Sequence, residues 1–336
     1  MQTRLMVIIH NPVDEHSSAD ERDVLVQADS VAESLFDLGY RVEMLPFTLG
    51  SRTFIDRIKR LKPECVFNLV ESVEDDARLI HVAPAYCDHL GVPFTGAKAE
   101  SMLLTSNKVL SKKWMQRCSI PTLQWFAPGS DCSEPLVFPE NYIIKGIWEE
   151  ASVGLDDKAI VMAKDQGDLA RKVYERSREL GIPCFAESFI DGREFNLSLL
   201  AKNNGVEVLP PAEIIFDFPP GKRKIVDYRA KWDVDSREYQ GTKRSFDLFD
   251  RDINLIERLK TISGQCWSCF ELLGYARVDF RLDAAGRAWV LEINANPCIA
   301  PDSGFVAAAQ KAGLTHTMLV ERIVKDAMQD KRINRN

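Results

Sequence analysis

The stretch "RVDFRLDAAGRAWVLEIN", residues 277–294, decides the fold, because it predicts a β-hairpin that separates apolar from polar side chains. Residues 283–286, "DAAG", form a turn between two runs that are rich in strand-forming residues. Side chains alternate along a strand. One face of the hairpin is therefore predicted to be core, and it collects Val278, Phe280, Leu282, Trp289, Leu291 and Ile293.

The other face of this hairpin carries Arg277, Asp279, Glu292 and Asn294. In a hairpin without a bulge, Arg277 lies opposite Glu292 and Asp279 lies opposite Val290. Two carboxylates and an amide oxygen then lie close enough to share a cation. The alternative is an ordinary exposed sheet face with cross-strand ion pairs, so the rest of the chain has to decide.

Composition describes a globular protein and excludes several partners. The 336 residues are 45% hydrophobic and 28% charged, which suits two or three compact units. The net charge of -7 and the scattered basic residues predict no nucleic-acid partner and no membrane surface. The apolar start "RLMVIIH" is too short for a signal peptide or a membrane span. Eight cysteines, mostly in apolar segments, indicate reduced thiols, so we expect a cytoplasmic protein.

Hydrophobic periodicity divides the chain into three parts. Residues 1–98 alternate strand and helix and predict a doubly wound, parallel-sheet α/β unit. Residues 99–186 predict an α+β unit that includes a helix capped by Ser106. Residues 187–336 add further strands, the hairpin and a basic stretch at 217–244 that predicts a long loop. Long loops in compact domains are often functional covers.

Two lysines lie beside elements that can bind a polyphosphate. Lys108 lies at a helix start, and Lys145 ends the strand "YIIK" before the small-residue turn "EEASVG". Backbone N–H groups in such a turn can approach phosphate oxygens while ammonium groups neutralise their charge. Surface lysines beside a plain turn are the alternative for each position alone.

The order of these motifs resembles an ATP-grasp carboxylate-amine ligase of the D-alanyl-D-alanine ligase type. The resemblance covers nearly the whole chain and is carried by "TSNKVLSKKWM", "IIKGIWEEASVG", "ESFIDGREF", "VDYRAKW", "ARVDFRLD" and "LEINANP". It implies a three-domain ATP-grasp fold with ATP between the second and third domains. The domains would be a Rossmann-like unit at 1–98, a central subdomain at 99–186 and a C-terminal subdomain at 187–336.

The resemblance also implies roles for residues of the ATP site. Asp279, Glu292 and Asn294 would bind two Mg²⁺ ions, for which Mn²⁺ could substitute. Residues 187–190 would form the hinge read by adenine, and Glu194 would bond the ribose, with a solvated loop acid as the alternative. The remaining implied nucleotide contacts are Lys108, Lys145, Ser152, Glu187, Phe189, Ile190 and, on the γ-phosphate, Lys231.

The implied reaction activates a carboxylate with ATP, because an oxide is a poor leaving group. An acyl phosphate forms, and the amine of a second substrate attacks it. Arg277 would stabilise the oxyanion, and Ser303 would hold the second substrate's carboxylate unless it is only a helix cap. The expected substrates are small amino acids or peptide-like molecules, and a homodimer is left open.

Several positions depart from the family pattern around the first substrate. Dipeptide-forming members have a serine in the small-residue turn and a tyrosine in the long loop, where this chain has Ala151 and Trp232. Glu21 matches the family's N-terminal glutamate only across an insertion, Glu71 lies where a histidine is expected, and Cys298 replaces a glycine.

These departures predict a first substrate other than D-alanine. Two alternatives stay open. One is a true D-alanyl-D-alanine ligase of cell-wall synthesis with a rearranged pocket. The other is an ATP-sensing module that has lost catalysis, although the intact acidic hairpin argues against decay.

Overall fold

The computed structural model describes residues 4–14, 17, 19–50, 52–130, 135–148, 152, 154–203, 205–248 and 252–329. Within these residues the strands form three sheets, each with helices packed on at least one face. In the same part of the chain, no helix is both long and apolar enough to cross a membrane.

The first sheet is parallel and has helices on both faces. Its elements are β1 (Leu5–His10), α1 (Ala19–Asp37), β2 (Arg41–Pro46), α2 (Arg52–Leu61), β3 (Cys65–Leu69) and α3 (Val82–Leu90). The strand order is β2-β1-β3. All of β1 is buried, and its alternate side chains enter two cores, with Met6 and Ile8 in one and Val7 and Ile9 in the other. The predicted doubly wound parallel unit is confirmed.

Two helices then lead to the second sheet, and they correct one predicted cap. They are α4 (Ala99–Ser106) and α5 (Lys108–Arg117). The N-cap of α5 is Asn107, whose side chain accepts a hydrogen bond from the Leu110 N–H at 2.9 Å. The prediction that Ser106 caps this helix is wrong, because Ser106 ends the preceding helix and bonds the Leu103 carbonyl instead.

The second sheet is antiparallel and small. Its elements are β4 (Trp125–Phe126), β5 (Glu140–Gly146), a 3₁₀ turn (Asp157–Ala159), β6 (Ile160–Ala163), α6 (Gln166–Leu180) and β7 (Cys184–Ser188). The strands are ordered β4-β7-β5-β6, and α6 packs on one face. Tyr142, Ile144 and Ala186 of the sheet share a core with Leu169 and Val173 of the helix.

The third sheet is the largest and contains the hairpin. Its elements are β8 (Glu194–Lys202), β9 (Gly205–Val208), β10 (Ala212–Phe216), α7 (Tyr228–Trp232), α8 (Arg237–Gly241), β11 (Thr242–Ser245), α9 (Ile253–Cys269), β12 (Tyr275–Leu282) and β13 (Ala288–Asn294). The order is β11-β10-β8-β12-β13, and β9 also pairs with β8. One face packs on α9, where Phe195, Val278 and Phe280 share a core with Leu259 and Cys266. The opposite face of the sheet is left for polar residues.

The last two helices return to the first sheet. They are α10 (Gly304–Lys311) and α11 (His316–Gln329). Phe305, Leu319 and Ile323 join Met6 and Ile8 in one core. The first and third predicted domains therefore share a hydrophobic core, while the boundaries at 98 and 186 stay predictions.

A β-bulge corrects the predicted register of the hairpin. Asp279 pairs with Glu292 and Phe280 pairs with Val290, which leaves Leu291 as the extra residue. The predicted pairing of Arg277 with Glu292 is therefore wrong, as is that of Asp279 with Val290. The bulge also reverses the alternation in its strand, so Val290 is buried, whereas Trp289 and Leu291 are only half-buried instead of core. Arg277 lies opposite Asn294.

The basic stretch at 217–244 has more regular structure than the predicted long loop. Two short helices, α7 and α8, are capped by Asp227 and Ser236, and β11 pairs with β10. Ile225 is buried against Ile143 of the second sheet. The segment is thus a docked cover with its own caps and apolar anchor.

Candidate active site

The polar face of the third sheet collects residues from three neighbouring strands. Asp279 on β12 pairs with Asn196 on β8 and with Glu292 on β13, and Arg277 pairs with Asn294. Directly paired residues share a face of a sheet. The four polar residues predicted on the hairpin therefore lie together, and the bulge brings the two carboxylate positions directly opposite one another.

Hydrogen bonds fix Asp279 in this patch. The Arg277 guanidinium donates to both carboxylate oxygens, from Nε to Oδ1 at 2.8 Å and from Nη2 to Oδ2 at 2.8 Å. Asn196 Nδ2 donates to Oδ1 at 2.7 Å. Arg277 Nη2 also lies 4.0 Å from Glu292 Oε1, so one guanidinium faces both carboxylates.

Lysines from other elements surround the patch with positive charge. Lys108 Nζ, at the start of α5, lies 3.5 Å from Glu292 Oε2. Burial opposes ionisation of Glu292, but Lys108, Lys145, Lys231 and Arg277 outweigh it and lower its pKa. Burial is also the main cause that lowers the pKa of Lys231, and repulsion by Arg277 adds to it. Cations outnumber the carboxylates here, which suits an anionic ligand.

Glu187, predicted in the adenine hinge, lies between two lysines. Lys145 Nζ is 2.6 Å from Oε1, and Lys112 Nζ is 2.5 Å from Oε2. Burial on its own raises the pKa of a carboxyl group, but the two ammonium groups outweigh it and lower the pKa of Glu187 to about 2. Glu187 is therefore a charged carboxylate that belongs to the second sheet.

Glu194, predicted at the ribose, is buried and paired with Arg281. Arg281 Nη2 lies 2.5 Å from Glu194 Oε2, and burial raises the pKa of Glu194 although Arg281 opposes the shift. The alternative of a solvated loop acid is thus not what the structure places there. Arg281 Nη1 also donates to the carbonyls of Gly192 at 3.1 Å and Lys224 at 2.9 Å. This arginine ties the hinge segment to the cover.

Just after the hinge, the chain passes close to the third sheet at Gly192. A Cβ at this position would lie 1.8 Å from the Leu282 carbonyl oxygen, so only glycine fits. Nearby, Phe189 packs at the edge of the small core that contains Ile225, and the Arg223 guanidinium lies 5.8 Å from its ring centroid. Ile190 is half-buried beside them.

The cover is anchored to the second sheet and its turn. Ser152 Oγ donates to the Val226 carbonyl at 2.8 Å. Lys222 Nζ lies 3.0 Å from Asp157 Oδ2 and 2.8 Å from Glu238 Oε1. These contacts hold the segment that carries Lys231 and Trp232 over the polar face.

A second group of polar residues joins α1 to the segment after the hairpin. The Cys298 thiol donates to Asp23 Oδ2 at 3.2 Å. Gln27 accepts from the Ile299 N–H at 2.8 Å and donates from Nε2 to Glu71 Oε1 at 3.3 Å. Burial raises the pKa of Asp23, and nearby Asp302 raises it further, although the Cys298 bond opposes the shift. We call Asp23, Glu71 and Asp302 the acidic side of the site.

Two predicted substrate residues lie outside what the structure describes. Ala151 is not among the described residues, and the same holds for the side chain of Glu21 on α1. Trp232 is the half-buried last residue of α7 and follows Lys231 directly. The replacement of the family's serine and tyrosine by Ala151 and Trp232 therefore stays a prediction from the sequence.

Ser303 is the N-cap of α10, and its side chain accepts a hydrogen bond from the Val306 N–H at 3.3 Å. This is the helix-cap role that the sequence left open as the alternative to substrate binding. Arg244 from β11 lies next to Ser303. A Cβ on Gly304 would be 3.1 Å from Arg244 Nη2, and both Arg277 and Asp302 act electrostatically on Arg244. A second guanidinium therefore approaches the position predicted for the second substrate's carboxylate.

The donor set on the polar face fits a hard divalent cation. Asp279 and Glu292 supply carboxylate oxygens on directly paired residues, and Asn294 supplies an amide oxygen on the same face. Among the described residues, no group of three or more His, Cys, Asp or Glu side chains could hold a metal on its own. Two carboxylates among four cations suit a metal that arrives with an anionic ligand.

The sequence interpretation missed several residues of the site, and for three of them the sequence carries a signal. Asn196 alternates with buried Phe195 and Leu197 on β8, so the period of two places it on the polar face. The same alternation places Arg281 on the face of Arg277. Lys112 follows Lys108 by one helical turn in "KVLSK".

Comparisons with known proteins show which proteins this chain is similar to. Residues 130–325 match the family model described as D-ala D-ala ligase C-terminus. The uncharacterized protein y4sG of Sinorhizobium fredii is 30% identical over 304 residues, which cover 88% of this chain and 86% of that protein. A D-alanine–D-alanine ligase of Marinomonas sp. is 29% identical over 315 residues, covering 91% and 92%.

Solved structures share the fold. The D-alanine–D-alanine ligase from Bacillus anthracis complexed with ATP superposes with a TM-score of 0.73 at 17% identity and covers 98% of both chains. D-alanyl-alanine synthetase A from Vibrio cholerae gives a TM-score of 0.72 at 15% identity, covering 98% of this chain and 100% of that one. The predicted ATP-grasp architecture is confirmed.

Proposed function

Because this chain belongs to the D-alanine–D-alanine ligase family, we propose that it is an ADP-forming ligase that joins a carboxylate to an amine, with a first substrate other than D-alanine. The observation that carries the proposal is the polar face of the third sheet. It brings two carboxylates together with Arg277 under lysines from three other elements. A ligase that uses ATP needs such an arrangement for a polyphosphate and its metal.

The phosphates of ATP are assigned to the lysines around Glu292. Lys108 and Lys145 would contact phosphate oxygens, and Lys231 would reach the γ-phosphate from the cover. Phe189, Ile190 and Glu187 would face adenine, and Glu194 would face the ribose. In support, Lys145 acts electrostatically on both Glu187 and Glu292, Glu194 lies on β8 of the third sheet, and the cover is docked by Ser152 and Lys222.

Asp279, Glu292 and Asn294 would hold Mg²⁺, or Mn²⁺ in its place. The metal, when bound, neutralises charge that develops on the phosphates. Arg277 now occupies both oxygens of Asp279. In the proposed role, the Arg277 guanidinium turns from Asp279 toward the reacting carbonyl.

The protein's own residues account for the two chemical steps. Lysines hold the γ-phosphoryl group in line with the first substrate's carboxylate, whose attack gives an acyl phosphate and ADP. The second substrate's amine then attacks the acyl carbon, and phosphate leaves. Arg277 stabilises the oxyanion, and the cover excludes water that would hydrolyse the acyl phosphate. Ser303 and Arg244 would hold the second substrate's carboxylate.

The first substrate is proposed to carry an extra positive or hydrogen-bond-donating group. Asp23 and Glu71 lie beside Cys298, with Asp302 near Asp23. Carboxylates grouped in this way favour a cationic partner over the methyl group of alanine. Trp232 adds an indole that can stack on a flat or cationic group.

The relatives that are D-alanine–D-alanine ligases favour a second candidate, a true D-alanyl-D-alanine ligase with a rearranged pocket. Phosphate release with amino acids and hydroxy acids, paired in all combinations, separates the two when the product mass is also measured. We expect turnover with a first substrate that bears an added amino group. D-alanine alone should give little dipeptide.

The same assay addresses the remaining alternatives. D-alanyl-D-alanine formed from D-alanine at about 10 s⁻¹, an ordinary enzymatic rate, would contradict the proposed first substrate. An ATP-sensing module would bind ATP and release no phosphate with any pair.

A further inference from the structure

Lys112 is a lysine that lies completely inside the protein. Its side chain is 1% exposed, and Nζ contacts Glu187 Oε2 at 2.5 Å and donates to Thr122 Oγ1 at 3.0 Å. Lysines are almost never fully buried unless they are paired. Burial lowers the pKa of Lys112 and Glu187 opposes this shift, so the carboxylate favours the charged form of the ammonium group.

Glu187 has two ammonium partners that differ in their freedom. Lys112 binds Oε2 from α5 and is enclosed, whereas Lys145 binds Oε1 from β5 and is 15% exposed. Burial lowers the pKa of Lys145, but Glu187 and, on the opposite sheet, Glu292 outweigh it and raise the pKa. Lys145 therefore lies between the carboxylates of the two sheets, while Lys112 is fixed at one of them.

This difference matters because a lysine that is bound to a buried carboxylate is a poor ligand for phosphate. If Lys145 were the sole partner of Glu187, its departure toward a ligand would leave an unpaired buried charge, which is costly. With Lys112 in place, Glu187 keeps one ammonium partner when Lys145 moves. Repulsion between the two ammonium groups also favours that movement.

We propose that Lys112 is a positioning residue that acts as the resident counter-ion of Glu187 and so releases Lys145 for the nucleotide phosphates. The inference rests on the proposed function, because it assumes that Lys145 binds phosphate. Lys112 itself touches no substrate and acts through Glu187 and Lys145. Removing the Lys112 charge should weaken the binding of ligands that carry phosphates and leave the binding of a ligand without phosphates unchanged.

The test is calorimetric titration of the purified full chain with Mg-ATP, ADP and adenosine. Lys112→Met removes the charge and keeps much of the side-chain volume. We expect ATP and ADP to bind about 10- to 100-fold more weakly, which is the usual effect of a lost charge-assisted contact, while adenosine affinity stays the same. Lys113→Met is the matched control, because Lys113 is the next residue of α5 and is exposed. Its nucleotide affinities should not change.

Lys112→Met could unfold, since it leaves Glu187 with one partner. The double variant Lys112→Met/Glu187→Gln removes both buried charges and releases Lys145 by another route. It should recover the preference for ATP over adenosine, measured as the ratio of the two dissociation constants. Lys112→Arg, which keeps the charge, should retain most of that preference.

Three results would overturn the proposal for Lys112. The first is a Lys112→Met variant that binds ATP as tightly as the wild type does. The second is an equal loss of affinity for adenosine and ATP in that variant. The third is a double variant in which the ratio of the two dissociation constants does not recover. Failure of the proposed function looks different. In that case the wild-type chain would show no preference for ATP over adenosine at all.

Discussion

The two sides of the candidate site carry opposite charge. The phosphate side has five cations gathered around Glu187, Glu292 and Asp279, namely Lys108, Lys112, Lys145, Lys231 and Arg277. The acidic side, between α1 and the segment after the hairpin, groups Asp23 with Glu71 and Asp302. The family motifs are intact on the phosphate side and altered on the acidic side. On the proposed function, one scaffold would keep its contacts with ATP while its first substrate differs.

The phosphate side should depend most on Glu292, the carboxylate at its centre. Glu292→Gln should preserve the fold, because the group faces the polar side of the sheet, yet it removes a proposed metal ligand. Losing a residue that only orients a ligand typically costs about 10- to 100-fold. We therefore expect kcat to fall by more than about 100-fold. Glu257→Gln, an exposed carboxylate on α9, is the control. Unchanged ATP consumption in folded Glu292→Gln would show that Glu292 is not an essential metal ligand.

A second change tests whether Arg277 acts in the chemical step. Arg277→Lys keeps the positive charge and loses the planar fork that now binds both oxygens of Asp279. We expect kcat to fall by about 10²-fold with a much smaller change in KM for ATP, as for loss of an oxyanion donor. Steady-state kinetics at saturating substrates measure this. A change confined to KM would place Arg277 in binding rather than in transition-state stabilisation.

The acidic side is tested by neutralising Asp23. Asp23→Asn should raise KM for a diamino acid as first substrate by about 10- to 100-fold, since a charge-assisted contact is lost. KM for ATP should stay the same. Asp29→Asn, on an exposed position of the same helix, is the control. Equal effects on amino acids with and without the second amino group would contradict the proposed cationic substrate.

The smallest expected effect concerns pH. Burial lowers the pKa of Lys231, so its ammonium group loses its proton at a lower pH than an ordinary lysine does. A phosphate ligand needs the protonated form, and ATP binding should weaken on the alkaline side. Lys231→Arg stays charged throughout and should extend the pH plateau of KM for ATP upward. Identical alkaline limbs in both proteins would show that Lys231 does not control this step.

Strand alternation and turn residues were enough to predict much of the fold. The apolar β1 and the "DAAG" turn follow directly from the sequence, and the polar face of the hairpin was found from the period of two. The bulge at Leu291 was not predicted, because neither glycine nor proline marks it. Its effect is local to β13, so it moved Trp289 and Val290 but kept the polar residues together.

Tertiary contacts explain the other misses. The spacing of Lys112 from Lys108 indicates a shared helix face, but only the fold buries Lys112 and brings Glu187 within reach. Asn107 and Ser106 are equally good caps, and the choice depended on α4 ending at Ser106. In the cover, caps at Asp227 and Ser236 allow helices too short for a periodic pattern.

The shared core of the first sheet with α10 and α11 affects how the protein is made. Part of the apolar surface at Met6 and Ile8 is covered by Phe305, Leu319 and Ile323, which are synthesised about three hundred residues later. At typical translation rates that interval is roughly 15 to 60 s. For that time the nascent chain carries an unfinished apolar surface, and such exposed surface makes folding intermediates prone to aggregate.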